Sequence, residues 1–123
     1  MKKVYNKLVR DRMIDVYELD VANKISATDY SVRYLDSAKT LELLKDKLLE
    51  EAQEVFEAYG KEDKTELKEE IADVIEVIDA ILHHNGIELE EVLKIRDEKK
   101  AKKGGFEEGL YLESIDYINE QNT

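Results

Sequence analysis

Between residues 37 and 59, apolar side chains recur every three or four positions, at Leu41, Leu44, Leu48, Ala52, Val55 and Tyr59. Each helical residue turns the chain by about 100°, so this spacing lines them along one helix face. Ser37 stands where a hydroxyl can cap the first turn, and Gly60 where a glycine can take the left-handed turn that ends a helix. A second run follows almost at once. Asp63 and Glu66 have the spacing of a capping box. Behind them Leu67, Ile71, Val74, Ile75, Val77, Ile78, Ile81 and Leu82 form a wide apolar arc reaching about Asn85, with Gly86 as its stop. So short a break between the runs predicts two helices packed antiparallel as a hairpin.

The flanks carry weaker patterns. Leu8, Val9, Ile14, Val16 and Leu19 predict a short helix over residues 10–19. DYSVRYLD, residues 29–36, alternates like an extended segment, which would need a partner strand from the tail or from another chain. A third helix is expected over residues 88–101, closing on a basic run before Gly104 and Gly105. The tail from Gly105 onward has no period. The fold class is therefore all-α, a helical hairpin with short helices, in one domain spanning residues 1–123. The wide arcs leave one side of the hairpin uncovered. A second copy would cover it and complete a four-helix bundle, so at least a homodimer is expected.

Composition narrows the chemistry. Cysteine is absent, which excludes disulfides and thiolate metal sites. The formal charge of −11 argues against a protein that coats nucleic acid polymers. No apolar run approaches the ~20 residues of a membrane span, and no signal peptide is visible, so a cytoplasmic protein without a membrane partner is expected.

The acids decide more. On the first long helix the apolar stripe centres on Leu48 and Val55, and Glu51, Glu54 and Lys47 fall on one flank of it. Glu50 lies about 150° away, toward solvent. On the second, Glu70 falls inside the apolar arc and Asp73 at its edge. An unpaired carboxylate there costs several kcal/mol or takes up a proton. Glutamate-rich strings are commonly just solvated faces. Two on adjoining helices, with inner acids on matching flanks, instead suggest a hard oxygen cage for Mg²⁺ or Mn²⁺. A di-iron carboxylate bundle fits less well, because no glutamate stands three residues before His83 or His84. Those two histidines read as a cap or a surface pair.

EEAQE at residues 50–54 and EIAD at residues 70–73 resemble the Glu-Glu-x-x-Glu…Glu-x-x-Asp signature of the all-α nucleoside triphosphate pyrophosphohydrolases. That superfamily includes MazG, the dimeric dUTPases and phosphoribosyl-ATP pyrophosphohydrolase. YNKLVRDRMIDV, EEIADVIEVIDAIL and KKAKKGGFEEGLYL, in that order, resemble its small single-domain MazG-like branch. The resemblance implies Glu51, Glu54, Glu70 and Asp73 as ligands of Mg²⁺ (or Mn²⁺), with no other cofactor. It also implies hydrolysis of a nucleoside triphosphate between the α and β phosphates, with Glu51 or Glu54 as the base that takes a proton from water. The expected role is removal of surplus or aberrant nucleotides. The alternatives are the phosphoribosyl-ATP step of histidine biosynthesis, and a non-catalytic acidic interaction protein. Lys47, Lys7, Arg10 and Lys103 are the expected phosphate donors, arginine for its forked geometry and lysine as a mobile charge. Gly104 and Gly105 are expected to turn the chain and to seat Phe106 in the core or at a subunit contact.

Overall fold

A computed structural model describes residues 1–61 and 64–119. The described residues form four helices and no strand: α1 (Met13–Ala22), α2 (Ser37–Tyr59), α3 (Lys64–Asn85) and α4 (Leu89–Lys103). The chain divides into two compact units, Met1–Leu89 and Glu90–Thr123.

In the first unit α1 begins later than its apolar pattern predicts. The carbonyls of Arg10 and Arg12 accept the bonds that open it, from the amides of Met13 and Asp15, so both arginines stay outside the helix. It ends at Ala22, and Lys24, two residues on, takes a positive φ of 53°. The Ile25 amide then reaches back to the Asp20 carbonyl and the Lys24 amide to Val21, a Schellman closure. The Asp20 carboxylate gathers the amides of Ser26 and Ala27 and the Ser26 hydroxyl at 2.7–2.8 Å. Those bonds, led by the one from Ala27, hold its carboxyl below the usual range.

The expected extended segment at residues 29–36 finds no partner strand among the described residues. Tyr30 and Leu35 are half-buried while Val32 and Tyr34 are exposed, and the Tyr30 ring meets Tyr17 of α1 at 5.8 Å.

Asp36, not Ser37, caps α2. Its backbone is extended and its carboxylate accepts the Lys39 amide at 2.8 Å, three residues in. Ser37 is the first helical residue, and its hydroxyl sits 3.0 Å from His84 Nδ1 near the end of α3. Gly60 differs from expectation too: its φ of −79° is right-handed, so no left-handed turn ends α2. The proposed cap at Asp63 lies outside the described residues. Glu66 accepts both short bonds from Lys61 Nζ, at 2.9 Å each. Gly86 does behave as a stop. Its φ is 67°, and the Ile87 and Gly86 amides return to Leu82 and His83.

The α2–α3 pair is the packed hairpin of this unit. Leu44, Ala58 and Val77 are its buried apolar side chains, and Glu51 is buried with them. On α2 the covered line thus runs Leu44–Glu51–Ala58, one residue every two turns. The stripe read from sequence is rotated away from it, and Ala52 and Tyr59 are exposed. Leu49, Phe56 and Tyr59 on α2 and Ile71, Ile75 and Ile78 on α3 are exposed as well. At about 100° per residue in an antiparallel pair, these two outer stripes fall on the same broad side of the hairpin. Glu54 and Asp73 fall on the opposite side.

The second unit holds α4 and the segment after it. No α4 residue is buried. Gly104 ends the helix with a φ of 83°, its amide bonded to the Lys100 carbonyl at 2.8 Å. A Cβ on Gly105 would collide with the Glu107 carboxylate, which pairs with Lys100 at 3.7 Å. Phe106 is 99% exposed and is no core anchor. No described helix is long and apolar enough to cross a membrane.

Candidate metal centre

Hairpin packing brings together the four acids that helical geometry had singled out. One carboxylate oxygen each from Glu51, Glu54, Glu70 and Asp73 lies within 4.8 Å of the others. The i,i+3 spacing within each helix stacks its two acids one turn apart, and the antiparallel pairing sets the two stacks face to face. Their surroundings differ. Glu51 is only 8% exposed, Glu70 and Asp73 are half-buried, and Glu54 sits at the solvent edge. Glu51 is not on the flank of the apolar stripe, as its sequence position suggested, but on the packed line itself. Glu50 points to solvent, as expected.

Two cations reach the cluster. Lys47 Nζ stands 3.6 Å from Glu51 Oε1, one turn earlier on α2. Arg10 Nη2 donates to Asp73 Oδ1 at 2.6 Å, across 63 residues of sequence. They leave acceptors over. Glu51 Oε2 and Glu70 Oε2 are buried with no hydrogen-bond partner. The Glu51 carboxyl is accordingly raised above the ordinary glutamate range, first by burial, then by the adjoining Glu54. Glu54 is raised first by its contact with the Glu70 carboxylate, with which it can share a proton. Crowded carboxylates that hold protons they would shed in water are short of positive charge.

A divalent cation would correct that shortage. Oxygens around Mg²⁺ sit about 2.1 Å from the ion, which places them roughly 3 Å apart when adjacent and 4.2 Å when opposite. Four carboxylate oxygens that all lie within 4.8 Å of one another are gathered on the scale of such a shell. The donor set is all carboxylate, the hard kind that suits Mg²⁺ or Mn²⁺, and the orphaned oxygens of Glu51 and Glu70 are the free acceptors such an ion requires.

Lys7 and Lys103, the other expected phosphate donors, stand outside the hairpin helices. The Lys7 ammonium lies 5.8 Å from the centre of the Tyr5 ring. Lys103 closes α4 in the other unit. His83 and His84 meet edge to face at 5.1 Å, a pair away from the carboxylates, with His84 held by Ser37. No periodicity could have revealed that Arg10 meets Asp73.

A family model described as phosphoribosyl-ATP pyrophosphohydrolase matches residues 23–100, well over half of the chain, with all four acids inside the match. The chain belongs to the phosphoribosyl-ATP pyrophosphohydrolase family. With it comes membership of the MazG-like all-α nucleoside triphosphate pyrophosphohydrolases. No curated protein and no solved structure matches the chain. For a pyrophosphohydrolase of this family, a carboxylate cluster of this kind is consistent with the family's divalent-metal site, and a nucleotide is the implied substrate.

Proposed function

We propose that this protein hydrolyses the bond between the α and β phosphates of a triphosphate nucleotide, releasing pyrophosphate, with Mg²⁺ or Mn²⁺ held by Glu51, Glu54, Glu70 and Asp73. The observation that carries this reading is the pair of buried, partnerless oxygens of Glu51 and Glu70 inside a four-carboxylate cluster. A bound ion would supply charge neutralisation along the phosphate chain and would lower the pKa of the attacking water. Glu51 or Glu54, as a carboxylate beside the attacking water, would take up its proton. Lys47 braces Glu51, and Arg10 has unused guanidinium donors for a phosphate oxygen.

The family match supports phosphoribosyl-ATP as the first substrate to test. A second reading, removal of surplus or aberrant nucleoside triphosphates, rests on what lies outside the matched stretch. YNKLVRDR and the Gly104-Gly105-Phe106 element both do. Pyrophosphate release from phosphoribosyl-ATP, dCTP, dUTP and ITP, with Mg²⁺ and with EDTA, separates the two. Silence on every substrate would sink both. A non-catalytic acidic bundle would also show no melting shift with Mg²⁺ and a non-hydrolysable nucleotide.

The working form is a homodimer or homotetramer on this reading. Leu49, Phe56, Tyr59, Ile71, Ile75 and Ile78 leave a broad apolar side of the hairpin open, of the kind a second copy covers in a four-helix bundle. Sedimentation should give at least a dimer, and Phe56→Glu with Ile75→Glu should give monomers.

A further inference from the structure

The Arg10–Asp73 contact ties the cluster to a segment that is not part of the hairpin. All four acids, if ionised, carry four negative charges, against one positive charge each from Lys47 and Arg10. The two cations are held differently. Lys47 is on α2 itself, with its side chain three-quarters covered and fixed one turn from Glu51. Arg10 stands on the non-helical lead into α1, its side chain is 60% exposed, and it places a single donor on one oxygen of Asp73. A guanidinium has five donors in a rigid fork, so the remainder are available to an anion.

We infer that Arg10 is a charge-balancing residue that competes with the divalent ion for the negative charge of Asp73 until a phosphate chain arrives, making metal binding and nucleotide binding cooperative. This rests on the metal reading proposed above. The physical reason is direct. In the nucleotide-free protein a guanidinium on Asp73 stands beside the place a divalent ion would occupy, and like charges that close repel even at the water-like dielectric of a half-exposed site. A triphosphate brings several negative charges, so Arg10 and the ion then share one polyanion and the repulsion is offset. Each ligand therefore strengthens the other, as linkage requires. Arg10 is a positioning residue for the ion, and its spare donors give it a second task on the phosphates.

The test is Mn²⁺ titration, followed by electron paramagnetic resonance, of wild type, Arg10→Gln and Arg10→Lys. Each is titrated with and without α,β-methylene-ATP, after circular dichroism has shown equal helix content. Without nucleotide, Arg10→Gln should bind Mn²⁺ on the order of fivefold more tightly than wild type. Arg10→Lys, which keeps the charge, should match wild type. The gain in Mn²⁺ affinity on adding the analogue should shrink in Arg10→Gln. Should Arg10→Gln bind Mn²⁺ equally or more weakly, Arg10 supports Asp73 as a ligand and the inference falls while the metal reading stands. Should Arg10→Lys behave like the glutamine variant, charge is not the cause and the inference falls as well. Wild type that takes up no Mn²⁺ under either condition would overturn the metal reading and this inference together.

Discussion

The α2–α3 hairpin and α4 are built from nearly the same alphabet of glutamate, lysine and aliphatic residues, yet their acids meet opposite fates. On α4, Glu90 and Glu91 sit in the first turn and Lys100, Lys102 and Lys103 in the last, an order that complements the helix dipole. Every one of those side chains is exposed, and Arg96 pairs with its neighbour Asp97 at 3.0 Å. Such contacts in water contribute little. In the hairpin, Glu51 and Glu70 lie where apolar residues would otherwise pack, and each leaves an oxygen without a partner. Composition is blind to this difference. What separates a solvated acid from a ligand is its angular position relative to the packed line of its helix.

The sharpest way to break the comparison is to remove acids from each region. Asp73→Ala or Glu54→Ala should cut pyrophosphate release by on the order of a hundredfold or more, while Glu90→Ala and Glu91→Ala leave it unchanged. Equal losses from both regions would erase the distinction.

Packing gives the next effect. Leu44→Ala, on the buried line of α2, should destabilise the protein by about 2–4 kcal/mol in chemical denaturation. Leu93→Ala on α4, where nothing is buried, should cost well under half of that.

The third test is pH, in the presence of EDTA. Glu51 and Glu54 hold protons more tightly folded than unfolded. Their contribution to stability is therefore full below the ordinary glutamate range and is lost as pH rises through their raised folded values. Melting temperature should fall across that window in wild type. Glu51→Gln should flatten the fall, and saturating Mg²⁺ should abolish it. The smallest effect belongs to the cap: Asp36→Ala should cost about 1 kcal/mol, and Ser37→Ala should leave the cap itself intact.

Much of this was written in the sequence. The bounds of α2, the end of α3 at Gly86 and the four convergent acids followed from helical periodicity, which depends on local geometry alone. What periodicity could not supply was anything set by a neighbour. The true packed line on α2 is fixed by which side α3 covers, so Glu51 turned out central where an isolated stripe placed it on a flank. The cap moved from Ser37 to Asp36 because the chain enters α2 extended, and the hydroxyl was drawn to His84 instead. The alternation of Tyr30, Val32 and Tyr34 pointed to a strand, but an extended segment becomes one only where a neighbour offers a ladder, and none does among the described residues. The Arg10–Asp73 contact spans 63 residues and leaves no local trace.

The small contact between Ser37 and His84 has a larger meaning when set beside the bonds from Lys61 to Glu66. One lies where α2 begins and α3 finishes, the other where α2 gives way to α3. The first joins the two rods directly; the second ties Lys61, past the end of α2, to the first turn of α3. A slip of a single residue along the axis would move one stack of carboxylates by about 1.5 Å and swing it by about 100°. The alignment on which the four acids depend therefore rests on the packed line of Leu44, Ala58 and Val77, with these exposed polar contacts marking its two ends.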